Sequence, residues 1–326
     1  MLDDLKAEIS KGLALYLTEP LHLKAAVRAL SRPSYALHPK GPCRSAVITI
    51  ETFRAISGSV SSEALKAASG VELYVEAGFL FDHVADQETD AQDGSSPAEE
   101  LVLAISMMNC GAAQVSQAII ASKASTTALT ALLRFYADVI NACGGQYLDT
   151  HMENRETTTQ EALKMTSLKA GSIGRFAAAL GAALATDDEY LITSFGEMGF
   201  NLLTYMQLID DIRDACPSEG PLRDYLQHKK TVPLVLFQES KQHPSSQNNN
   251  HDVIMAASGT EENFRRDFEA SQASMFAAIL AETFLNRAKN NLVEVQMKLG
   301  KSRVETLERF IEGIEFDPQD IRATPY

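Results

Sequence analysis

Two acidic clusters hold the residues best placed to do chemistry: Asp82-His83-Val84-Ala85-Asp86 and Asp210-Asp211-Ile212-Arg213-Asp214. Each sits in an apolar stretch with helical character. Residues four apart share a face of an α-helix, so Asp82 pairs with Asp86 and Asp210 with Asp214; Asp211 lies three before Asp214. Like charges at that spacing destabilise a helix by a few tenths of a kcal/mol per pair, and a cation would offset this. Hard oxygen ligands without a His or Cys set suit Mg²⁺, which keeps several waters and bridges one or two carboxylates to phosphate oxygens. Two such clusters facing each other would cage a diphosphate. Paired acids on a helix can equally be a solvated face. The stretch 199–209 ahead of the second cluster is too apolar for that, and its carboxylates need pairing or metal.

The elements that must position these clusters read as helices. No proline lies between Pro97 and Pro217, and Ala, Leu, Met, Glu, Lys and Gln dominate there. No strand-type alternation interrupts the pattern. Ser96-Pro97-Ala98-Glu99 is a helix start with N-cap Ser, Pro at the first position and Glu at the third. Thr186-Asp187-Asp188-Glu189 reads as a second capping box. The patterns predict long helices over about 63–86 and 156–185, and over 186–214 one long helix or a kinked pair. Residues 31–43 (Pro33, Pro39, Pro42), 89–96 (acidic, Gly/Ser-rich) and 241–251 (polar, low complexity) read as loops. None reads as a domain linker, so residues 1–326 form one all-α domain.

Composition narrows the partners. The 326-residue chain is 45% hydrophobic and carries a net charge of −14. With no basic run it is expected to bind neither nucleic acid nor an anionic membrane surface. A polyanionic substrate must be met by local lysines or metal. Cys43, Cys110, Cys143 and Cys216 are scattered and read as reduced thiols of a cytoplasmic protein. The acidic N-terminus has the wrong charge for a signal peptide, and no apolar run is read as a membrane span.

The chain resembles the trans-isoprenyl diphosphate synthases and, more widely, the class I terpenoid-synthase superfamily. Glu72-Leu73-Tyr74 leading to Asp82–Asp86 resembles the first Asp-rich motif. Gly145-Gln146-Tyr147-Leu148-Asp149 resembles a Gly-Gln-x-x-Asp segment, and Lys169 matches a diphosphate-binding Lys. Gln207-Leu208-Ile209-Asp210-Asp211-Ile212-Arg213-Asp214 matches the second motif. His228-Lys229-Lys230-Thr231-Val232-Pro233-Leu234 resembles a Gly-Lys-x-Thr-x-Pro-Leu segment, with His in place of Gly. The resemblance implies a helical bundle around a central cavity and three Mg²⁺ ions held by Asp82, Asp86, Asp210, Asp211 and Asp214. It places Arg44, Lys169, Gln207, Lys229 and Lys230 on the substrate's diphosphate, and a homodimer is implied by family alone.

The departures shape the functional expectation. His83 stands where the family has a second Asp. The pocket for isopentenyl diphosphate needs a Lys and an Arg, a His, and an Arg pair after the motif. Here Arg44 is present, Lys40 is one residue out of register, Val75 fills the His slot, and Gln87-Glu88-Thr89-Asp90-Ala91-Gln92-Asp93 has no Arg. On this reading the second diphosphate site is lost. The expectation is a Mg²⁺-dependent class I terpene synthase, a diphosphate lyase that ionises a C20 or longer prenyl diphosphate and cyclises or quenches the cation. The alternative is a trans-prenyltransferase, either an isoprenyl diphosphate synthase or one that prenylates an acceptor such as a peptide Trp. A second alternative is a non-catalytic partner subunit.

The prenyl pocket is expected to include Leu73, Tyr74, Ala77, Gly78, Phe79, Gln146 and Tyr205. Ala77 and Gly78 either leave room for a long tail or let two helices pack closely; Leu73 and Tyr74 would form the floor. Phe79, Phe81, Tyr147, Phe176, Phe195, Phe200 and Tyr205 either face the cation or pack the core.

Overall fold

A computed structural model describes residues 1–86, 94–122, 125–153, 155–217, 220–242 and 261–315. Its helices are α1 (Leu2–Tyr16), α2 (Pro20–Leu30), α3 (Arg44–Ser57), α4 (Ser62–Ala85), α5 (Pro97–Ala121), α6 (Ser125–Met152), α7 (Thr159–Thr166), α8 (Ser172–Ala185), α9 (Glu189–Ala215), α10 (Arg223–Leu226), α11 (Val232–Gln242), α12 (Glu261–Ser271), α13 (Ala273–Leu299) and α14 (Lys301–Glu312). A π-helical turn, Ser167–Gly171, joins α7 to α8. No strand occurs among the described residues, so the all-α expectation holds. The expected acidic loop at 87–93 and most of the polar loop at 241–251 lie outside the described residues.

The chain forms two compact units. The first comprises Met1–Val139, Ile173–Gly199 and Asn290–Arg309; the second comprises Ile140–Ser172, Phe200–Lys289 and Phe310–Tyr326. Each is assembled from separated stretches of chain, so no single cut in the sequence divides them.

In the first unit α4 and α5 form the centre. Their backbones touch where Gly70 meets Gly111: a Cβ on Gly70 would lie 2.6 Å from the Gly111 carbonyl oxygen. Leu73, Ala77 and Leu80 of α4 and Leu103, Ala104, Met107 and Cys110 of α5 bury into one core with Leu5, Ile9 and Leu13 of α1. Helix α5 meets the length and composition of a membrane span, with a mean hydropathy of 1.2 over its most apolar window, half of it buried in the protein. The sequence reading missed this run. Its apolar character is that of a core helix whose inner face packs on α4.

The helix starts follow local chemistry. Ser96 and Glu99 form the expected capping box on α5. The second expected box is shifted: α9 begins at Glu189, and the Asp188 carboxylate caps it by accepting from the N–H groups of Tyr190 and Leu191. Thr186 Oγ1 accepts from Asp188 N–H at 3.1 Å instead. The stretch 156–185 is two helices with the π turn between them, where one helix was expected. A full capping box at Thr158–Glu161 opens α7.

Helix α3 starts at Cys43, whose side chain makes no cap hydrogen bond and whose backbone is left-handed at φ 46°. Glu72 of α4 acts in its place, its carboxylate accepting from Ala46 N–H at 2.8 Å. A carboxylate at a helix N-terminus is favoured by the unpaired N–H groups there.

The core of the second unit is aromatic. Phe237, Phe264 and Phe268 pack with Leu222, Leu234 and Ala273, and Tyr225 lies 3.9 Å from Phe264 between ring centres.

Candidate active site

The second unit holds Lys169, Lys229 and Lys230, three of the cations expected at the diphosphate. Helix α6 ends with Gly145, Gln146 and Asp149, and Glu153 follows its last residue. Gly145 is where the π turn crosses α6: a Cβ there would stand 2.2 Å from Lys169 N and 2.6 Å from Lys169 Cα. Only glycine admits that approach, which brings the Lys169 Nζ to 2.8 Å from the Asp149 carboxylate. Single π turns inside α-helices recur at functional sites; this one carries Lys169 at its middle.

Lys229 reaches the same carboxylate from the segment after α10. Its Nζ lies 3.8 Å from Asp149 and 3.0 Å from Glu153. The turn that aims it needs a left-handed residue, and His228 supplies it at φ 59°. That explains a glycine in the resembled motif. His is one of the few non-Gly types enriched in this conformation. Lys230, the next residue, goes elsewhere. It is buried, its Nζ donates to Gln238 at 3.5 Å, and burial lowers its pKa against the opposing effect of Glu156. Lys230 was expected at the diphosphate with Lys229; successive side chains leave a turn in different directions, and of these two it is Lys229 that faces Asp149.

The acids of the second motif split. Asp210 and Asp214 share the solvent-facing side of α9, Asp210 paired with Arg213 at 3.2 Å. Asp211 is turned inward and buried, accepting from Gln207 Nε2 at 2.8 Å. Burial pushes its pKa up to about 8. The Gln207 hydrogen bond and Lys169 oppose the shift, while Asp224 and Asp149 add to it. A Mg²⁺ ion beside it would oppose that shift, so Asp211 stays a candidate ligand with Asp210 and Asp214. A helix places neighbouring residues about 100° apart, so Asp214 points between Asp210 on the solvent side and Asp211 on the buried side. Among the described residues no group of three or more His, Cys, Asp or Glu converges as an all-protein metal cage. Asp210 and Asp214 fit Mg²⁺ all the same, since it takes one or two carboxylates and completes its shell with water and phosphate.

The first unit holds Asp82 and Asp86 at the end of α4, with Asp86 N–H donating to the Asp82 carbonyl at 2.8 Å. They too offer two hard carboxylates one turn apart. His83, which replaces an acid of the resembled motif, shares a hydrogen bond with Tyr35 OH at 2.9 Å through Nδ1. Arg44 is exposed at the first position of α3, and its charge acts on buried Glu72. Val75 is buried and apolar.

The residues expected to line a prenyl pocket have different surroundings. Around Gly78 no atom lies within 4 Å of a built Cβ. One turn earlier Tyr74 meets Phe135 and Phe176 edge-on, at 5.9 and 6.0 Å between ring centres. Phe135 was not among the residues expected there; it belongs to α6, far away in sequence. Ala77 and Leu73 sit on the other face, fully buried among Leu30, Leu103 and Met107, and are core. Phe79 is 48% exposed and edge-on to Tyr35. Tyr147 is 68% exposed and stacks on His151. Tyr205 is buried in the second unit with its OH donating to the Ile314 carbonyl at 3.5 Å, a core role. Gln146 keeps a buried Nε2 without a hydrogen-bond partner. Asp149 and Glu153 were not expected as site residues. Their signal was available: two acids four apart at a helix C-terminus, where both the like charge and the helix dipole are unfavourable.

The polyprenyl synthetase family model matches residues 29–270. The chain is 22% identical over 314 residues to a geranylgeranyl diphosphate synthase of Saccharolobus solfataricus, covering 88% of this chain and 92% of that one. Its fold matches a geranylgeranyl pyrophosphate synthetase of the archaeon Geoglobus acetivorans with a TM-score of 0.73 and 21% identity, over 96% of this chain and 98% of that one. It also matches a polyprenyl synthase of Caulobacter crescentus, solved with calcium and isoprenyl diphosphate, with a TM-score of 0.70 and 19% identity over 90% and 92% of the two chains. The matched segment spans most of this chain and contains both acidic clusters, the π-turn lysine and the Lys229 turn: the chain belongs to the polyprenyl synthetase family.

Proposed function

We propose that this enzyme is a trans-prenyltransferase of the isoprenyl diphosphate synthase kind, forming a product of geranylgeranyl length. The observation that carries the reading is the Lys169–Asp149–Lys229 cluster beside the second acidic motif, two ammonium groups brought to one carboxylate. The names of the relatives support it. It replaces terpene cyclisation as the leading reading, because the family and its similar members are synthases of prenyl diphosphates.

In this reading Lys169 and Lys229 bind the allylic diphosphate and stabilise the charge that grows on it as the C1–O bond breaks. The electron pair of that bond leaves with the diphosphate. Asp210 and Asp214 would hold Mg²⁺, which supplies Lewis-acid stabilisation of the leaving group when bound; Asp82 and Asp86 are a second carboxylate pair able to take it. The acceptor's double bond then attacks the allylic carbon, and the acceptor loses a proton to form the new alkene. Gln207 keeps Asp211 oriented behind the lysines. Within the first unit, the open side of Gly78 leads toward Tyr74, Phe135 and Phe176, Tyr74 lying eight residues and about 12 Å below Asp82 along the helix axis, and this is the path we assign to a prenyl tail. With Ala77 committed to the core, only Gly78 opens that path. We therefore place the preferred length at C20 for the product, rather than at C20 or longer for the donor.

A second reading keeps the ionisation and omits the diphosphate acceptor, so that the cation cyclises or is quenched. Buried Val75 in the His slot, and Glu72 countering Arg44, favour it. One experiment separates the two. The purified protein is incubated with Mg²⁺ and C10 to C25 prenyl diphosphates, with and without isopentenyl diphosphate. Diphosphates five carbons longer, formed only with isopentenyl diphosphate, support the synthase; hydrocarbons or alcohols without it support cyclisation or quenching. Asp210→Ala should abolish diphosphate release with the helical circular dichroism intact. Near-wild-type turnover in that variant would sink both readings.

A further inference from the structure

Lys229 is an ammonium ion with a side chain only 6% exposed, and a buried charge without a counter-ion is costly. Asp149 and Glu153 provide the counter-charge. Asp149, 7% exposed, also holds Lys169 at 2.8 Å, while Glu153 is 25% exposed and contacts Lys229 at 3.0 Å. The two acids stand four apart at the end of α6, where like charge and helix dipole both disfavour them. Their positions are sustained by the lysines, and the lysines by them. Any diphosphate that binds Lys229 must compete with a carboxylate already there.

We propose that Glu153 is a positioning residue that acts as an internal substitute for the diphosphate: it holds Lys229 while no diphosphate is bound and recaptures it as diphosphate departs. This rests on the prenyl diphosphate reading above. Asp149 is buried and shared, so it stays in place. Glu153 is nearer solvent and can turn outward when phosphate oxygens take over the charge-assisted hydrogen bonds of Lys229. The consequence is a set trade between binding and release. Glu153 weakens diphosphate binding and keeps inorganic pyrophosphate, one product of the reaction, from occupying the site. Removing its charge therefore tightens pyrophosphate binding, whereas loss of a merely structural group would weaken it.

The test measures binding of inorganic pyrophosphate with Mg²⁺ by calorimetry, and inhibition of turnover by pyrophosphate, in wild type, Glu153→Gln, Glu153→Asp and Lys229→Gln. Glu153→Gln should lower both the dissociation constant and the inhibition constant about five- to tenfold, the effect of removing a close competing charge. Glu153→Asp, which keeps the charge, should stay close to wild type, and Lys229→Gln should weaken binding. Unchanged or weaker pyrophosphate binding in a folded Glu153→Gln protein overturns the proposal. A wild-type protein that binds no magnesium pyrophosphate overturns the prenyl diphosphate reading itself, and this inference with it.

Discussion

Gly144 and Gly145 are neighbours in one helix, yet adding a single methyl group should move the protein in opposite directions. A Cβ at Gly144 meets nothing within 4 Å, while at Gly145 it would stand 2.2 Å from Lys169 N and 2.8 Å from the Leu168 carbonyl carbon. Both glycines are helical, so alanine gains about 0.8–1.0 kcal/mol of helix propensity at each. At Gly144 nothing opposes that gain. At Gly145 the obstacles are backbone atoms, which cannot swing aside, and overpacking costs about 1–3 kcal/mol, here at the upper end. Gly145→Ala should therefore lose roughly 2 kcal/mol and Gly144→Ala gain nearly 1, a separation of about 3 kcal/mol. With a urea slope of about 3 kcal/mol per M, the two unfolding midpoints should differ by about 1 M. The methyl must also push the π turn away by about an ångström, and misplacement on that scale can cost about a hundredfold in rate. Urea titrations followed by circular dichroism, with turnover measured on the same samples, check both parts. Equal midpoints for the two variants, or a Gly145→Ala protein with wild-type stability and turnover, would refute the claim that Gly145 is kept for the approach of Lys169.

Two further outcomes are expected. Gly78→Phe has open space to enter and should shift products toward shorter chains with little change in thermal stability. Ala77→Phe, aimed into a filled core, should instead destabilise by about 1–3 kcal/mol; product chain lengths and melting temperatures of the pair decide this, and a shift in length from Ala77→Phe alone would reverse the assignment of the two faces. The third concerns pH. Glu76 is buried, and burial, with the neighbouring Glu72 carboxylate adding to it, raises its pKa well above the ordinary glutamate value. The folded state thus binds its proton more tightly than the unfolded chain does. That contribution to stability is complete below the usual carboxylate pKa and is lost as pH rises through the raised folded value. Glu76→Gln cannot lose a proton, so its urea midpoint should fall less between pH 5 and pH 8 than that of wild type; an equal fall would show that Glu76 stays charged in the folded protein.

Much of this protein was written locally. The all-α class, the capping box at Ser96 and the pairing of Asp210 with Asp214 follow from composition, side-chain chemistry within one turn and the helical period, none of which needs a distant partner. The second motif could be placed on a helix for the same reason. Its split could not: Asp211 differs from Asp210 by one position, but whether it meets solvent or the Lys169 side of the fold depends on what packs against α9. The same limit governed Ala77 and Gly78, adjacent small residues that sequence could not tell apart. Packing of α4 against α5 committed one to the core and left the other open.

Other outcomes depended on chain brought together from far apart. Asp149 serves Lys169 and Lys229, twenty and eighty residues away, only because Gly145 admits the π turn and His228 takes a left-handed turn. Phe135 of α6 joins Tyr74 of α4 although the whole of α5 lies between them in the chain. The sequence by itself determined which residues carry charge, which segments are helical and which acids lie one turn apart, because these depend on side-chain type and a fixed helical period. The tertiary structure alone decided which lysine meets which carboxylate and which small residue faces open space, because burial and ion pairing are properties of the surroundings that the fold assembles.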